Sequence, residues 1–537
     1  MIIPTGTGRL VRFILRRDRW FLPLWIAVPP LILLSFAGAM ATSFPTAEVR
    51  EQYAEASASN AMFTMMYGEL HGAGLGELVA WRAGFFPVLL GLCSMLSVIR
   101  HTRAEEEAGR RELIAATAIS RHASLAAALI VVSAVNLSIG LLTALALISF
   151  GLPAVGSIAL ASGLAGCGVG LAGVAALIAQ LTSGAGTARG IGIVFLAAAL
   201  MLRSVGDLNT QAGGALGWVM WLSPFGWSNQ LRPFAGERWW LLVLVLLVSA
   251  ALTALAIVVS GRRDLGAGLI QPRPGPAVAA PGLRSPVALA WRLHRRTLAG
   301  WSLGLALAGL AFGSIGRTGE QIASTMSPEA MAALAGVLSG AGSLGDQFLA
   351  VILEMFSMIA AGYAVLATLA IMNEERSGRA EELLATPVNR IRWAASHLLF
   401  ALINPTVVTV VFGTAVGLVH GLSGDDPGDQ LLRVFGGTVA RLPVIWLFVG
   451  LTFLLCGLLP RIAAGAFVVL FGSLLILGLG IQLRLSPWIV GLSPFAHLPE
   501  LPGGELQWTP LVVLTALTAI LIAAGLVGLR RRDLPAA

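Results

Sequence analysis

Long apolar runs alternate with short polar stretches along this chain, and the apolar runs have the length of membrane-spanning helices. A helix needs about 20 apolar residues to cross roughly 30 Å of hydrocarbon, where it satisfies its own backbone hydrogen bonds. The pattern predicts six spans in each half of the chain. They are 20–41, 79–99, 124–150, 153–182, 188–206 and 239–260, then 297–316, 349–372, 394–420, 438–459, 463–483 and 508–529.

The two halves repeat each other most clearly in a polar segment that follows the second span of each. The first polar segment, residues 105–121, reads EEEAGRRELIAATAISR, and the second polar segment, residues 374–390, reads EERSGRAEELLATPVNR. Self-similarity at a fixed offset indicates an internal duplication. Eight of the 17 positions are identical: Glu105/Glu374, Glu106/Glu375, Gly109/Gly378, Arg110/Arg379, Glu112/Glu381, Ala116/Ala385, Thr117/Thr386 and Arg121/Arg390.

The duplication extends to other short motifs. Residues 222–225 (LSPF) recur as 492–495, and residues 262–265 (RRDL) recur as 531–534. We therefore predict an all-α membrane protein of about twelve transmembrane helices, in two six-helix halves related by a pseudo-twofold axis. The predicted division is a first half at 1–265, a cytoplasmic linker rich in proline and glycine at 266–284, and a second half at 285–537.

The distribution of charge predicts how the chain is oriented in the membrane. Only 12% of the residues are charged, whereas soluble domains carry about 25%. All 35 basic residues are arginine, and they collect before the first span, between the second and third spans, in the linker and at the C-terminus. Because basic residues favour the cytoplasmic side, both termini and both polar segments are predicted to be cytoplasmic.

Two further regions flank the spans. Leu10, Phe13 and Ile14 alternate with arginines at helical spacing before the first span, which predicts an interfacial amphipathic helix. Residues 287–296 hold the same place in the second half. Tryptophans gather around residues 222–225, where they indicate either an aromatic belt at the interface or a pair of short re-entrant helices.

The polar segments are the candidate site for a partner. Three pairs have the i,i+4 spacing that stabilises a helix: Glu106/Arg110, Glu107/Arg111 and Glu375/Arg379. The segments are either solvated loop helices or docking helices that seat in a groove of a cytoplasmic protein, and their duplication favours docking. The residues assigned to docking are Glu105, Glu106, Gly109, Arg110, Glu112 and Thr117, with Glu374, Glu375, Gly378, Arg379, Glu381 and Thr386.

The second polar segment, with its acidic and arginine start, its glycine and its Thr386-Pro387 end, resembles the same region of type-2 ABC exporter permeases. The first segment is more divergent, since Ala118 replaces the proline and Leu113 replaces a glutamate. As a single chain of twelve spans, the protein resembles actinobacterial permeases of the tetronasin or multidrug type. The resemblance implies a bacterial plasma-membrane exporter subunit that uses ATP hydrolysed elsewhere.

The resemblance also implies which partners and which cargo the chain would have. Two copies of a cytoplasmic ABC ATPase would dock on the two polar segments, and ATP and magnesium would bind to that partner. This chain itself is expected to hold no cofactor and no metal. Its cargo would be a hydrophobic or amphipathic compound such as a drug, a polyketide antibiotic or a lipid, with membrane lipid around it and no nucleic acid.

Several enzyme motifs are excluded by the sequence. A Walker A loop needs a lysine, and the chain has none. Gly168, Gly170 and Gly173 spell a dinucleotide fingerprint, but they lie within an apolar run, so small-residue helix packing is the better interpretation. Since nucleotide-binding motifs are missing, we expect a transport subunit and not an enzyme.

Ionisable residues inside predicted spans mark candidate pathway positions. Arg82 and Glu354 lie in corresponding spans and could pair across the predicted axis, and Arg203 lies in the fifth span. Phe85, Phe86, Met355 and Phe356 are further candidates for substrate contact. Two alternatives stay open: a secondary transporter coupled to ions or protons, although an intramembrane acidic relay is missing, and a membrane-embedded enzyme.

Overall fold

A computed structural model describes residues 5–58, 60–115, 119–264, 266–269, 277–278, 280, 282–313, 316, 342–422, 426–480 and 485–532. The chain packs as two compact units, Met1–Gly275 and Pro276–Ala537. Each is described by itself below. About half of the predicted linker, 266–284, lies outside the described residues, so the exact ends of the predicted halves stay predictions.

The first unit is helical throughout its described part. Its α-helices are Thr7–Arg17, Phe21–Ser43, Ala47–Ala58, Ala61–Tyr67, Leu75–Arg82, Phe86–His101, Arg103–Glu107, Arg110–Ala115, Ala123–Ser149, Ala154–Leu181, Ala185–Gln211, Pro224–Gln230 and Trp240–Arg262, with 3-10 turns at Ala83–Phe85 and Gly217–Leu222.

The second unit repeats this organisation. Its described α-helices are Pro286–Phe312, Leu344–Arg376, Arg379–Leu384, Arg390–Leu422, Pro427–Val439, Leu442–Leu458, Ala466–Gly480, Pro487–Val490 and Trp508–Arg531, with 3-10 turns at Pro460–Gly465 and Pro494–His497.

The predicted all-α membrane architecture is confirmed. Eleven stretches in the described residues are long and apolar enough to span a membrane: Phe21–Ser43, Leu75–Glu107, Ala123–Ser149, Ala154–Leu181, Ala185–Gln211, Trp240–Arg262, Leu344–Arg376, Arg390–Leu422, Pro427–Leu458, Pro460–Leu477 and Trp508–Arg531. The remaining predicted span, 297–316, falls on the helix Pro286–Phe312, whose first turns are rich in arginine. Apolar side chains such as Leu141 and Val243 point outward from these helices, as lipid-facing residues do.

Glycines let neighbouring spans approach closely in both units. In the first unit, a Cβ at Gly166 would lie 3.2 Å from Val245, and one at Gly170 would lie 3.3 Å from the Ser249 hydroxyl. These contacts confirm the packing interpretation of the glycine-rich span. In the second unit, a Cβ at Gly457 would lie 2.2 Å from the Gly525 carbonyl oxygen. The fourth span of each unit therefore packs against the sixth through small residues.

The amphipathic stretch before the first span differs between the units. In the first unit, the helix Thr7–Arg17 is separate and buries Ile14. Asp18 follows it and accepts hydrogen bonds from Arg100 at 2.9 Å and His101 at 2.8 Å, at the end of the second span. In the second unit the corresponding residues 287–296 are also helical, but they continue into the first span as one helix, Pro286–Phe312. Thr297 follows Arg295 and Arg296 where Asp18 follows Arg16 and Arg17, and threonine offers no carboxylate for such an anchor.

Short helices precede the last span in both units. In the first, Ser223 ends one 3-10 turn and accepts a hydrogen bond from the Phe225 amide at 3.2 Å, which caps the helix Pro224–Gln230. The rings of Trp221 and Trp240 stack with centroids 5.8 Å apart. The tryptophan-rich region therefore contains short broken helices as well as exposed aromatic residues.

Candidate functional site

Each polar segment is divided by a glycine in the left-handed conformation. In the first, the helix Arg103–Glu107 ends, Gly109 has φ of 70°, and the helix Arg110–Ala115 begins. In the second, the helix Leu344–Arg376 ends, Gly378 has φ of 75°, and the helix Arg379–Leu384 begins. Residues other than glycine rarely adopt this backbone conformation. The repeated glycine therefore fixes the same reversal of the chain in both units.

Replacing Gly109 with alanine is expected to destabilise the first polar segment by about 1–2 kcal/mol, the cost of a left-handed residue with a Cβ. A Cβ there meets no atom within 4 Å, so backbone strain is the whole effect. The measurement is thermal unfolding of the detergent-purified chain. Gly186→Ala is the control, because Gly186 lies within a helix with equal open space. Equal results for the two variants would contradict the role given to Gly109.

The glycine break changes which charges meet. Arg110 donates two hydrogen bonds to the Glu105 carboxylate, at 2.7 and 2.9 Å. Arg379 donates two to Glu374, at 3.0 and 2.8 Å. These pairs are five residues apart, so the predicted i,i+4 pairs Glu106/Arg110, Glu107/Arg111 and Glu375/Arg379 are wrong. An i,i+4 pair requires a continuous helix, and the left-handed glycine shifts the register by one residue.

The paired charges differ in their exposure. Arg110 is exposed, and its hydrogen bonds to the Glu105 carboxylate raise the pKa of Arg110 above its ordinary value. Arg111, in contrast, is buried and donates to Glu106 at 3.1 Å. Burial lowers the pKa of Arg111, and the Glu106 charge opposes that effect. Arg110 therefore remains at the surface, where a partner could meet it, while Arg111 belongs to the interior.

The second glutamate of each polar segment joins that segment to the end of the sixth span. Arg263 donates to both oxygens of Glu106 at 2.8 Å. Arg532 donates to both oxygens of Glu375 at 2.6 Å. Both pairs are separated by 157 residues. In the first unit two nitrogens of Arg263 make a buried bidentate pair, which fixes the position of both partners, and in the second unit one nitrogen of Arg532 contacts both oxygens. We call each pair a carboxylate–arginine clamp.

A second contact reinforces each clamp. The Arg121 guanidinium donates to the Arg263 carbonyl oxygen, and the Arg390 guanidinium donates to the Arg532 carbonyl oxygen. Arg121 and Arg390 are the last identical residues of the two polar segments. Both clamp arginines belong to the repeated motif RRDL, which is visible in the sequence. The sequence did not show which residue each arginine contacts.

The other predicted docking residues lie at or near the surface of the segments. Glu112 and Glu381 are exposed, and so is Thr386, whose hydroxyl donates to the Leu383 carbonyl oxygen at 2.6 Å. Thr117 lies outside the described residues. The assignment of these residues to docking stays a prediction, and the structure brings the glutamates and arginines of each segment together within one unit.

The candidate pathway residues have partners within their own units. Arg82 donates to the hydroxyls of Tyr67 at 2.8 Å and Tyr53 at 2.7 Å. Glu354 is within electrostatic range of Arg441. Each side chain thus has neighbours within its own unit, and the pairing of Arg82 with Glu354 stays a prediction.

The aromatic candidates pack mainly as core residues. Phe86 is buried against the ring edge of Phe36, at 6.2 Å between centroids. Phe356 is buried and stacks on Phe412 at 4.1 Å. Phe85 and Met355 are partly exposed. The contribution of these residues to a substrate pathway stays a prediction.

The fifth span contains an ion pair that the sequence analysis missed. The helix runs to Gln211, five residues beyond the predicted end, and includes Asp207. A terminal nitrogen of Arg203 lies 3.6 Å from an Asp207 oxygen, and both side chains are buried. Arg203 also donates to the Met65 and Met66 carbonyl oxygens. Arg203 and Asp207 have i,i+4 spacing in the sequence, but the predicted span ended at 206 and therefore did not include Asp207.

The comparisons with known proteins agree with this architecture. The sequence model of the family described as "Multidrug efflux system permease Rv1217c, C-terminal domain" matches residues 14–259 and, a second time, residues 283–530. The chain belongs to this permease family. The multidrug efflux system permease protein Rv1217c of Mycobacterium tuberculosis is 39% identical over 531 residues, which is 98% of this chain and 95% of that relative.

Membership of the family confirms the resemblance to permease exporters. One family model matches each half separately, which supports the duplication inferred from the polar segments. Together with the eleven apolar helices, it identifies the chain as a multi-pass membrane protein and a transmembrane efflux permease. Membership in an efflux system also implies partner components.

Proposed function

We propose that this permease is the membrane subunit of an ATP-driven ABC exporter, energised by two copies of a cytoplasmic ATPase that dock on the two polar segments. Both termini would lie in the cytoplasm of a bacterial cell, and ATP and magnesium would bind to the partner. The observation that carries the proposal is the repeated clamp. In each unit it joins the end of the second span, just before an exposed, charged helical tip, to the end of the sixth span.

The clamp suggests how force would pass into the membrane. A partner that pushes on the tip Arg110–Ala115 or Arg379–Leu384 acts on a short helix behind a left-handed glycine. Glu106 and Glu375 precede that glycine at the ends of the second spans, and their clamps would transmit the displacement to Arg263 and Arg532 at the ends of the sixth spans. Movement of the tips and of the sixth spans would therefore be coupled.

The apolar surfaces of each unit support a hydrophobic or amphipathic cargo, of the kind handled by a multidrug efflux permease. In the second unit, a cavity of about 720 Å³ lies between the fourth and sixth spans and is lined by residues such as Trp446, Val512 and Leu511. In the first unit, a cavity of about 350 Å³ lies between the fourth, fifth and sixth spans. Both have the size of small-molecule sites, which are mostly apolar.

The test is a double charge reversal, Glu112→Arg with Glu381→Arg, in the chain co-purified with a candidate ATPase. Reversing an exposed charge at each interface should place like charges opposite each other. We expect at least a tenfold loss of complex and of vanadate-sensitive ATP hydrolysis. The matched control is Glu51→Arg with Glu55→Arg, two exposed glutamates on the helix Ala47–Ala58, which should leave both unchanged.

Retained complex and retained ATP hydrolysis in the double variant would contradict the docking role. Drug efflux that continues without any ATPase and collapses on addition of a protonophore would favour the secondary transporter instead. Both measurements use the full chain in membranes or nanodiscs, so each result decides between the two functions.

A further inference from the structure

The two polar segments are held with very different numbers of contacts. The Glu106 carboxylate accepts hydrogen bonds from Arg103 at 3.0 Å, Arg111 at 3.1 Å, Arg263 at 2.8 Å and the Gly266 amide at 2.8 Å. At the equivalent place in the second unit, the described contacts of the Glu375 carboxylate come from Arg532. Glu106 therefore belongs to a buried network, whereas the described contacts of Glu375 are those of its clamp.

Two more side chains, Arg103 and Glu107, brace the first segment. Arg103 donates to the Gly266 carbonyl oxygen at 2.9 Å and to the Ser183 carbonyl oxygen. The Glu107 carboxylate accepts a hydrogen bond at 2.8 Å from the amide of Ala185, the first residue of the fifth span. The first segment is thus attached to the loop before the fifth span and to the chain after the sixth.

The sequence of the second unit excludes the same bracing. At the repeat offset of 269 residues, Arg103 corresponds to Met372, Glu107 to Arg376 and Arg111 to Ala380. A methionine and an alanine carry no donor for a carboxylate, and Arg376 carries no acceptor for a backbone amide. The difference between the segments therefore follows from three substitutions and not from a chance arrangement of side chains.

The two tips also differ in exposed charge, because Glu382 of the second tip stands where the first tip has Leu113. In the first tip, residues 110–115, the arginine Arg111 is turned inward onto Glu106, which leaves Arg110 and Glu112 exposed. In the second tip, residues 379–384, Ala380 is buried in the core while Arg379, Glu381 and Glu382 are exposed. The exposed charge is thus balanced in the first tip and acidic in the second.

We propose that the two polar segments dock unequally, and that recognition of the partner by charge is concentrated in the second. Its acidic tip fits a partner groove lined by lysine or arginine. The braced first tip docks as a preformed shape. Its geometry is fixed before binding, so binding costs little additional conformational entropy. This inference rests on the proposed docking of ATPase subunits and adds that the two docking sites differ in chemistry.

Unequal docking affects how a partner with two identical grooves would bind. One groove cannot be equally complementary to a balanced tip and to an acidic tip, since complementarity depends on opposing charges. A symmetric pair of ATPase subunits would therefore associate first and fastest with the second segment. The first segment would add a contact that depends little on ionic strength.

The experiment measures binding of the purified ATPase to the chain in nanodiscs at low and high salt. Two single variants are compared at equivalent positions, Glu381→Arg and Glu112→Arg, and Glu382→Gln tests neutralisation without reversal. We expect at least a tenfold slower association for Glu381→Arg, less than threefold for Glu112→Arg, and a weaker salt dependence for Glu382→Gln. Exposed charges at an interface act mainly on association rate and on salt dependence.

The outcomes separate this inference from the proposed function. Equal losses in Glu381→Arg and Glu112→Arg, or a larger loss in Glu112→Arg, would overturn unequal docking while leaving ATPase docking intact. Full binding by both single variants and by their combination would contradict the docking function itself. Thermal unfolding of each variant, which should match the parent chain because all three positions are exposed, shows that any loss is one of binding.

Discussion

Replacing Glu106 with leucine should be among the most damaging single changes in this chain. Three buried arginines, Arg103, Arg111 and Arg263, share this one carboxylate. Removing one partner of a buried ion pair costs about 3–5 kcal/mol, because the remaining charge is left uncompensated. Here three cations would be left facing each other. We expect the variant to aggregate or to unfold at a much lower temperature in detergent.

Glu375→Leu is the matched control, at the equivalent position of the second unit. It leaves one arginine, Arg532, which is partly accessible to solvent, so we expect a loss of about 1.5–3 kcal/mol, the range for a hydrogen bond to a charged group. Glu106→Gln should fall between the two, since it keeps the volume and one acceptor oxygen. Equal thermal stability of the two leucine variants would show that the first segment is not the more strongly braced one.

Replacing Asp207 with leucine should have a second large effect, in the fifth span. It would leave Arg203 buried without a carboxylate nearby. We expect a loss of about 3–5 kcal/mol, measured as thermal stability and as the yield of monodisperse protein. A charge inside a membrane-spanning segment is costly unless it is paired, so insertion of the fifth span should suffer as well.

The double variant Arg203→Met with Asp207→Leu is the control for this prediction. When both partners of a buried pair are replaced by apolar side chains, the loss is small or reversed. We expect the double variant to recover most of the stability, less the contribution of the Arg203 hydrogen bonds to the Met65 and Met66 carbonyl oxygens. A double variant as unstable as Asp207→Leu would refute the ion pair as the cause.

Most of the membrane architecture could be predicted because the bilayer sets a simple requirement. Each apolar run has to be about 20 residues long, and the helices Ala123–Ser149 and Ala154–Leu181 agree with the predicted runs within one residue at each end. The spacing of the glycines in the fourth span of the first unit likewise predicted close helix packing. The errors came where a span continues into polar sequence, as at Asp207, because hydropathy shows where the apolar surface ends and not where the helix ends.

Only part of the candidate site could be predicted from the sequence. The repeated polar segments identified the right glutamates and arginines, but the ion pairs were assigned on the assumption of a continuous helix. A single left-handed glycine, Gly109 or Gly378, moves each pair from i,i+4 to i,i+5. Glycine allows that conformation without requiring it, so its presence did not fix the register.

The amino-acid sequence alone determined that the chain is a duplicated, all-helical membrane protein with two charged segments at equivalent places. Repetition and apolar length are properties of the chain in one dimension. The tertiary structure decided what those segments are attached to, because Glu106 and Arg263 or Glu375 and Arg532 meet across 157 residues only when the fold brings the ends of the second and sixth spans together. It also decided which side chains of the two segments are buried, since the burial of Arg111 and Ala380 follows from packing and cannot be read from charge.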